Sequence, residues 1–396
     1  MKMKFEPVPR PEGVNPEDWM NWGWQLRNAL KTQKQFEQSF ELSSEEVAGF
    51  SEGDTVFQIR STPYYAALAS SKNPMDPVRR ILMPTGAELS AGRQSMLDPL
   101  GEKKNNPAPR VIHRYPDRVL FLVTDTCSVY CRYCTRKHFT GQDEAFVKSA
   151  DYEKALNYIR SKTGIREVIL SGGDPLTLSD SILDRVLTDL RAIEHVEIIR
   201  IGSRMPVVCP MRITPELARV IQKHHPVYVM THFNHPREVT AEAADALKLL
   251  ADHGTPLFNQ LVLLNGVNNH PAIIQALSRR LLYLRVKPYY MFQCDPSEGT
   301  DHLRTSIEDS LAIQKELWGN ISGLAMPNLA IDIPDGGGKT AYVPNFQISH
   351  EGSRREYIGW DGVHADYISP PEHTILKPID AENYYAEWDS LKNAKL

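Results

Sequence analysis

From about residue 115 onward the chain alternates short β-rich runs with amphipathic helical stretches, and it does so six times. The runs are VLFLV from Val119, EVILSGG from Glu167, VEIIRIGSR from Val196, VYVMTHF from Val227, LFNQLVLL from Leu257 and RVKPYYMFQ from Arg285. Strands separated by helices pair in parallel, and right-handed crossovers repeated in one sense roll such a sheet into a barrel. The expectation is an α/β fold, a partial (βα)6 TIM-like barrel with every C-terminal strand end at one mouth. Helix punctuation agrees: Thr214 is placed as an N-cap before Pro215, and a helix from Ala241 closes at Gly254 ahead of Pro256.

In that arrangement the polar residues ending each run share one cavity. They are the Cys127 loop after the first, then Gly172, Gly173 and Asp174, then Ser203 and Arg204, then His232 and Asn234, with Asn259 and Gln260 inside the fifth run, and Cys294 and Asp295 after the sixth. Residues 1–110 read as a helical region covering the barrel, 111–335 as the barrel, and 336–396 as a C-terminal segment and tail. Within the first region Asp18 to Thr32 reads as one helix carrying Trp19, Trp22 and Leu26 on a face, and Ser43 with Glu46 forms a capping box.

Composition sets outer limits. A chain of 396 residues with 41% hydrophobic content buries a large core, and 45 Lys plus Arg against 49 Asp plus Glu, with no basic block, argues against nucleic acid as a partner. The start MKMKFEPVPRPEG has no apolar h-region and no stretch of 18 apolar residues occurs, so neither secretion nor membrane insertion is expected. Five cysteines, three of them clustered, fit a reducing cytoplasm.

That cluster, Cys127, Cys131 and Cys134 in TDTCSVYCRYCTRKHF, directly follows the first β-rich run. Three thiolates hold three corners of a 4Fe-4S cube and leave one iron open to a small molecule. Zinc is the alternative, but it usually takes two CxxC pairs or added histidines, and only His138 lies near. A second signal is Lys339 in IPDGGGKTA. A phosphate-binding P-loop needs glycine five positions before Gly338, where Ile333 stands. Glycine-rich backbone around one lysine suits an amine that swings between a Schiff base and release of its cofactor, although a solvated turn lysine fits the same segment.

The motifs WxWQLRN, HRYPDRVLFLVTDTCSVYCRYCTRK, ILSGGDPL, IRIGSRMPVVCPMRITPEL, THFNHP, YYMFQCD and DIPDGGGKTAYVPNF, spread over roughly residues 15 to 350, closely resemble the lysine 2,3-aminomutase family. The resemblance implies a radical S-adenosylmethionine (SAM) barrel with its pyridoxal phosphate (PLP) lysine in a C-terminal extension. It also implies an isomerase in which a 5'-deoxyadenosyl radical takes a β-hydrogen from an amino acid held as its PLP aldimine, so that the amino group migrates and L-lysine becomes β-lysine.

Carried over residue by residue, the resemblance makes Cys127, Cys131 and Cys134 the cluster ligands and Lys339 the PLP lysine, with Arg114 and Tyr115 near PLP. Arg136 becomes the clamp for the substrate carboxylate, and Asp295 with Asp332 the pair holding the side-chain ammonium. The glutamate-specific relatives carry a basic and an amide residue at that pair. Gly172, Gly173, Asp174, His232 and Gln260 fall near SAM, though the last three serve equally well as buried hydrogen-bonding residues. A free amino acid, an electron donor such as flavodoxin or ferredoxin, and a homo-oligomer are the implied partners.

Two departures stand out. Family members bind a structural zinc through cysteines mostly in the tail, whereas no cysteine follows Cys294 here and the tail offers only His364 and His373, so no such zinc is expected. Asp335 stands where the family usually has glycine, and an extra carboxylate near the distal pocket favours a larger cation, making an arginine aminomutase the alternative to the lysine enzyme. A lysine aminomutase serving modification of a translation factor, a radical SAM enzyme without PLP, and a non-catalytic metal-binding protein complete the alternatives.

Overall fold

Parallel strands buried on both faces read as continuous apolar runs, whereas those of this barrel alternate, because only the outer face is packed by helices while the inner face lines a lumen. In Glu167–Gly172, for example, Val168 and Leu170 are fully buried and Glu167, Ile169 and Ser171 are half-buried. The structure, a computed structural model, describes residues 3–52, 57–90, 92, 94–141 and 145–370.

Nine strands form one sheet in sequence order: β1 (Val111–Tyr115), β2 (Arg118–Thr124), β3 (Glu167–Gly172), β4 (Ile198–Gly202), β5 (Val227–Thr231), β6 (Leu257–Leu263), β7 (Val286–Gln293), β8 (Asn328–Ile333) and β9 (Gly338–Ala341). Strands β2 to β8 run parallel, and β1 and β9 are antiparallel to their neighbours. The six expected strands are all present, but the parallel set has a seventh member, β8, in the stretch NLAIDI. Strand β9 belongs to the same sheet, so Lys339 sits on its edge strand.

Among the described residues no ladder joins β1 to β9, and side chains bridge the seam between these two edges. The Lys339 backbone N–H donates to Tyr115 Oη at 2.8 Å, and Arg114 Nη1 lies 3.5 Å from Asp332 Oδ1. The barrel is therefore nearly closed.

Helices return the chain along the outside. The helix Asp180–Arg191 buries Leu183, Val186, Leu187 and Leu190, the spacing of one apolar stripe, and starts where the Ser179 hydroxyl accepts from the Ile182 N–H. Thr214 and Pro215 open the helix Pro215–Lys223, and Ala241–Asp252 ends before Gly254 at φ +78°, both as the sequence indicates.

The expected single helix from Asp18 to Thr32 is two short ones, Pro16–Trp19 and Trp22–Arg27. Asn21 breaks it: its side chain accepts from the Trp24 N–H and so starts a new helix. The capping box forms, with Ser43 N–H on Glu46 Oε2 at 2.8 Å and Glu46 N–H on Ser43 Oγ at 3.3 Å. Its glutamate also receives Arg79, which is fully buried, at 2.7 Å. Past the barrel, β10 (Gln347–Glu351), β11 (Arg354–Ile358) and β12 (His364–Ile368) make a separate antiparallel sheet. His364 lies on β12 with Nδ1 3.1 Å from Glu356, and His373 falls outside the described residues. Among the described residues no helix is long and apolar enough to cross a membrane.

Candidate active site

The cysteine loop leaves the C-terminal end of β2 and is pinned from β3. Gly173 N–H donates to Thr124 O at 2.7 Å and Asp174 N–H to Thr126 O at 2.8 Å. A Cβ on Gly172, at φ +119°, would meet Thr124 O at 2.1 Å, and one on Gly173 would meet Thr126 O at 2.3 Å. Both glycines are thus required by the loop's own backbone. The three thiols are free and lie within electrostatic reach of one another: burial, then Asp174, Cys134 and Cys131, pushes the Cys127 thiol well up, and burial followed by Cys131 raises Cys134.

Ionising all three here demands a strongly positive occupant, which an iron-sulfur cluster provides. Arg204 already supplies one cation, its Nη1 2.8 Å from Cys131 Sγ, and is itself held by Glu238 at 2.6 Å and the Tyr65 hydroxyl at 2.8 Å.

Around the loop, the expected SAM-facing residues divide. Asp174 is filled by protein donors, accepting from Ser203 Oγ and the Arg204 N–H at 2.7 Å each and from the Leu176 N–H at 3.0 Å, while burial raises its pKa. It secures the turn after β3. His232 is different. Burial, then Arg204, lowers its pKa to about 3, so the ring is neutral, and its Nε2 is buried without a hydrogen-bond partner. An orphaned polar atom beside the cysteine loop fits a ligand contact. Gln260 is half-buried at a register shift in β6, whereas its neighbour Asn259 is fully used by Thr231, the Phe233 N–H and Phe233 O.

Across the mouth, the β8–β9 pair places Lys339 opposite Asp332, with Nζ 3.4 Å from the carboxylate. The same carboxylate faces Arg114, whose Nε is buried and unpaired, and the lysine Nζ stands 5.3 Å from the Phe292 ring centroid. Asp295 completes the group. Its pKa is pushed up to about 7 by burial and by the Asp332 charge, with Lys339 and Arg114 opposing. Two carboxylates and two cations therefore meet at this end of the mouth, with Asp332 buried and the Lys339 side chain open to solvent, a donor set that fits an amine-bound cofactor beside a cationic ligand. Asp335, by contrast, is exposed and left-handed at φ +58°, the backbone that glycine favours, so the case for a larger cation has no buried carboxylate to rest on.

Arg136 extends between these two centres. Its Nη1 donates to Ser171 Oγ at 2.8 Å, and Nε and Nη2 grip Glu102 at 2.7 to 3.0 Å. Burial opposes its charge, but Glu102, then Cys134 and Cys127, hold the guanidinium above its ordinary value. Glu102 carries no sequence signal, being one glutamate in a polar loop.

Comparison with known proteins identifies the family. Residues 121–275 match the model of the Radical SAM superfamily and residues 314–395 that of lysine-2,3-aminomutase. The L-lysine 2,3-aminomutase of Clostridium subterminale is 44% identical over 91% of this chain and 87% of its own, and that of Fusobacterium nucleatum 43% over 94% and 87%. A glutamate 2,3-aminomutase of Clostridioides difficile is 40% identical over 92% and 86%. Radical SAM membership implies an iron-sulfur cluster and SAM. With this extent of identity, the chain belongs to the lysine 2,3-aminomutase family of radical SAM isomerases.

Proposed function

We propose that the protein is an L-lysine 2,3-aminomutase that moves the α-amino group of free L-lysine to the β-carbon, using PLP carried on Lys339 and a cluster held by Cys127, Cys131 and Cys134. One observation carries the choice of lysine. Lys339 is a primary ammonium on a four-carbon stem, and its seat is the Asp332 carboxylate beside Asp295. The cavity thus accommodates the same chemical group that a lysine substrate presents.

When bound, SAM and PLP supply hydrogen removal and a π-system that lowers the barrier to amino migration. The chain's own residues bind and orient. Arg136 clamps the substrate carboxylate, Asp295 and Asp332 hold the distal ammonium, and Arg114 and Tyr115 fix the seam where Lys339 emerges. Asp332, 3.4 Å from Nζ, is placed to take up the charge of that amine whenever it is free. His232 and Gln260 would contact SAM, while Gly172, Gly173 and Asp174 hold the cysteine loop in register. The N-terminal region packs on the barrel through the buried Tyr65 hydroxyl, which donates to Glu238 at 2.7 Å, and would help exclude water from the site.

The test is an anaerobic assay of the reconstituted protein with SAM, PLP and a low-potential reductant, supplied separately with lysine, arginine and glutamate. β-Lysine from lysine alone is expected; β-arginine or β-glutamate as the principal product would overturn the assignment.

A further inference from the structure

A guanidinium has five N–H donors in a fixed plane, so the partners of some of them decide which edge is left for a ligand. Arg136 spends Nε and one Nη2 hydrogen on Glu102, at 2.9 Å and 2.7 Å to Oε1 and 3.0 Å to Oε2, and one Nη1 hydrogen on Ser171 Oγ at 2.8 Å. Two donors remain, one on each terminal nitrogen, and Glu102 sits on the Nε–Nη2 side, off the Nη1–Nη2 edge that a single bidentate carboxylate takes end-on. Glu102 is only 4% exposed. Its own backbone is fixed too, the N–H donating to Asp98 Oδ1 at 2.9 Å and the carbonyl accepting from the Asn105 N–H at 3.1 Å.

The segment around Glu102 lies across the mouth between the two ends of the cavity. Met96 N–H donates to Pro296 O at 2.9 Å, next to Asp295. Pro99 O accepts from the Asp335 N–H at 3.2 Å, and Leu100 O accepts from Arg114. The strap thus touches the elements that carry Asp295, Lys339 and Arg114, and ends on the residue that grips Arg136.

We propose that Glu102 is a positioning residue for the amino-acid substrate: by occupying the Nε side of Arg136 it presents the Nη1–Nη2 edge to the substrate's α-carboxylate. This rests on the reading of Arg136 as the carboxylate clamp. The opposite role, a carboxylate that competes with substrate for the arginine, is disfavoured because Glu102 leaves the end-on edge open.

The experiment measures binding of lysine and of lysinamide, which lacks the carboxylate, by calorimetry on anaerobic holoenzyme, with kcat and KM alongside, for wild type, Glu102→Gln, Glu102→Asp, Arg136→Gln and the Glu102→Gln, Arg136→Gln double variant. Glu102→Gln is expected to raise the Kd and KM for lysine at least ~10-fold, the loss of about one charge-assisted bond, with lysinamide affinity unchanged and no further loss in the double variant. Glu102→Asp is expected to recover part of the affinity, and should Glu102→Gln not fold, the aspartate variant carries the same comparison. Tighter lysine binding in Glu102→Gln, an unchanged Kd, or equal weakening of lysine and lysinamide would each overturn the role of Glu102. If Arg136→Gln weakens lysine and Glu102→Gln does not, only the Glu102 role fails; if Arg136→Gln binds lysine normally, the clamp reading fails and takes the Glu102 role with it.

Discussion

Lys339 and Asp332 are register partners across β8 and β9, and the lysine Nζ lies 3.4 Å from the aspartate carboxylate. The strand ladder fixes the two backbones opposite each other while the lysine stem stays free to move, so under the function proposed above Nζ can leave Asp332 and a substrate ammonium can take the same acceptor.

Asp332→Asn therefore removes the acceptor shared by both ammonium groups. Its KM for lysine is expected to rise ~10- to 100-fold, the equivalent of about 1.4 to 2.8 kcal/mol, in initial-rate measurements across lysine concentration.

The pH dependence follows from Asp295. Burial and the Asp332 charge raise its pKa to about 7, so it is neutral below that pH and charged above it. Affinity for a cationic side chain is expected to improve as pH rises through about 7, seen as an inflection in the KM profile. Asp332→Asn removes one cause of the shift, and the inflection is expected to move to lower pH.

Lys339→Arg keeps a cation beside Asp332 but cannot form an imine. The variant is expected to fold with its cluster intact and to lack the visible absorbance of lysine-bound PLP, with activity lost. Retained absorbance after dialysis would point to another anchoring residue.

Arg204 donates to Cys131 Sγ at 2.8 Å. Replacing it with glutamine removes a positive charge beside a cluster ligand, which disfavours the reduced state. An electron paramagnetic resonance titration is expected to show a midpoint more negative by on the order of 60 mV, the one-electron equivalent of a tenfold change.

Outside the site Arg79 anchors one of the buried ion pairs. It is fully buried, pairs with Glu46 at 2.7 Å and donates to Ser71 O at 2.8 Å. Arg79→Ala leaves Glu46 buried without its cation and is expected to cost ~3–5 kcal/mol, measured as a lowered thermal midpoint with iron content normalised.

The barrel was legible because β-branched runs such as VLFLV and amphipathic helices such as Asp180–Arg191 carry their periods locally. Strand β8 was not, since NLAIDI is short and runs into Pro334, and β9 is the glycine-rich GKTA, whose extended form comes from pairing with β8. The same distinction holds at the site. Cys127, Cys131 and Cys134 announce themselves by spacing, and Asp295, Asp332 and Arg136 by family motif. Glu102 meets Arg136 across 34 positions and the break at Asn21 depends on a side chain competing with the helix backbone, and neither leaves a periodic trace.

The seam also orders events in time. Tyr115 waits on the first strand for Lys339 on the last, 224 positions later, while the cysteine loop and Arg204 with its Glu238 partner are all encoded earlier. On the ribosome the cysteine-loop half of the mouth is therefore synthesised before Lys339 exists, and the clasp between Tyr115 and Lys339 depends on a contact spanning most of the barrel. Under the function proposed above, attachment of the aldehyde cofactor to Lys339 thus belongs to the end of the protein's own assembly, when the two edges of the sheet first face each other.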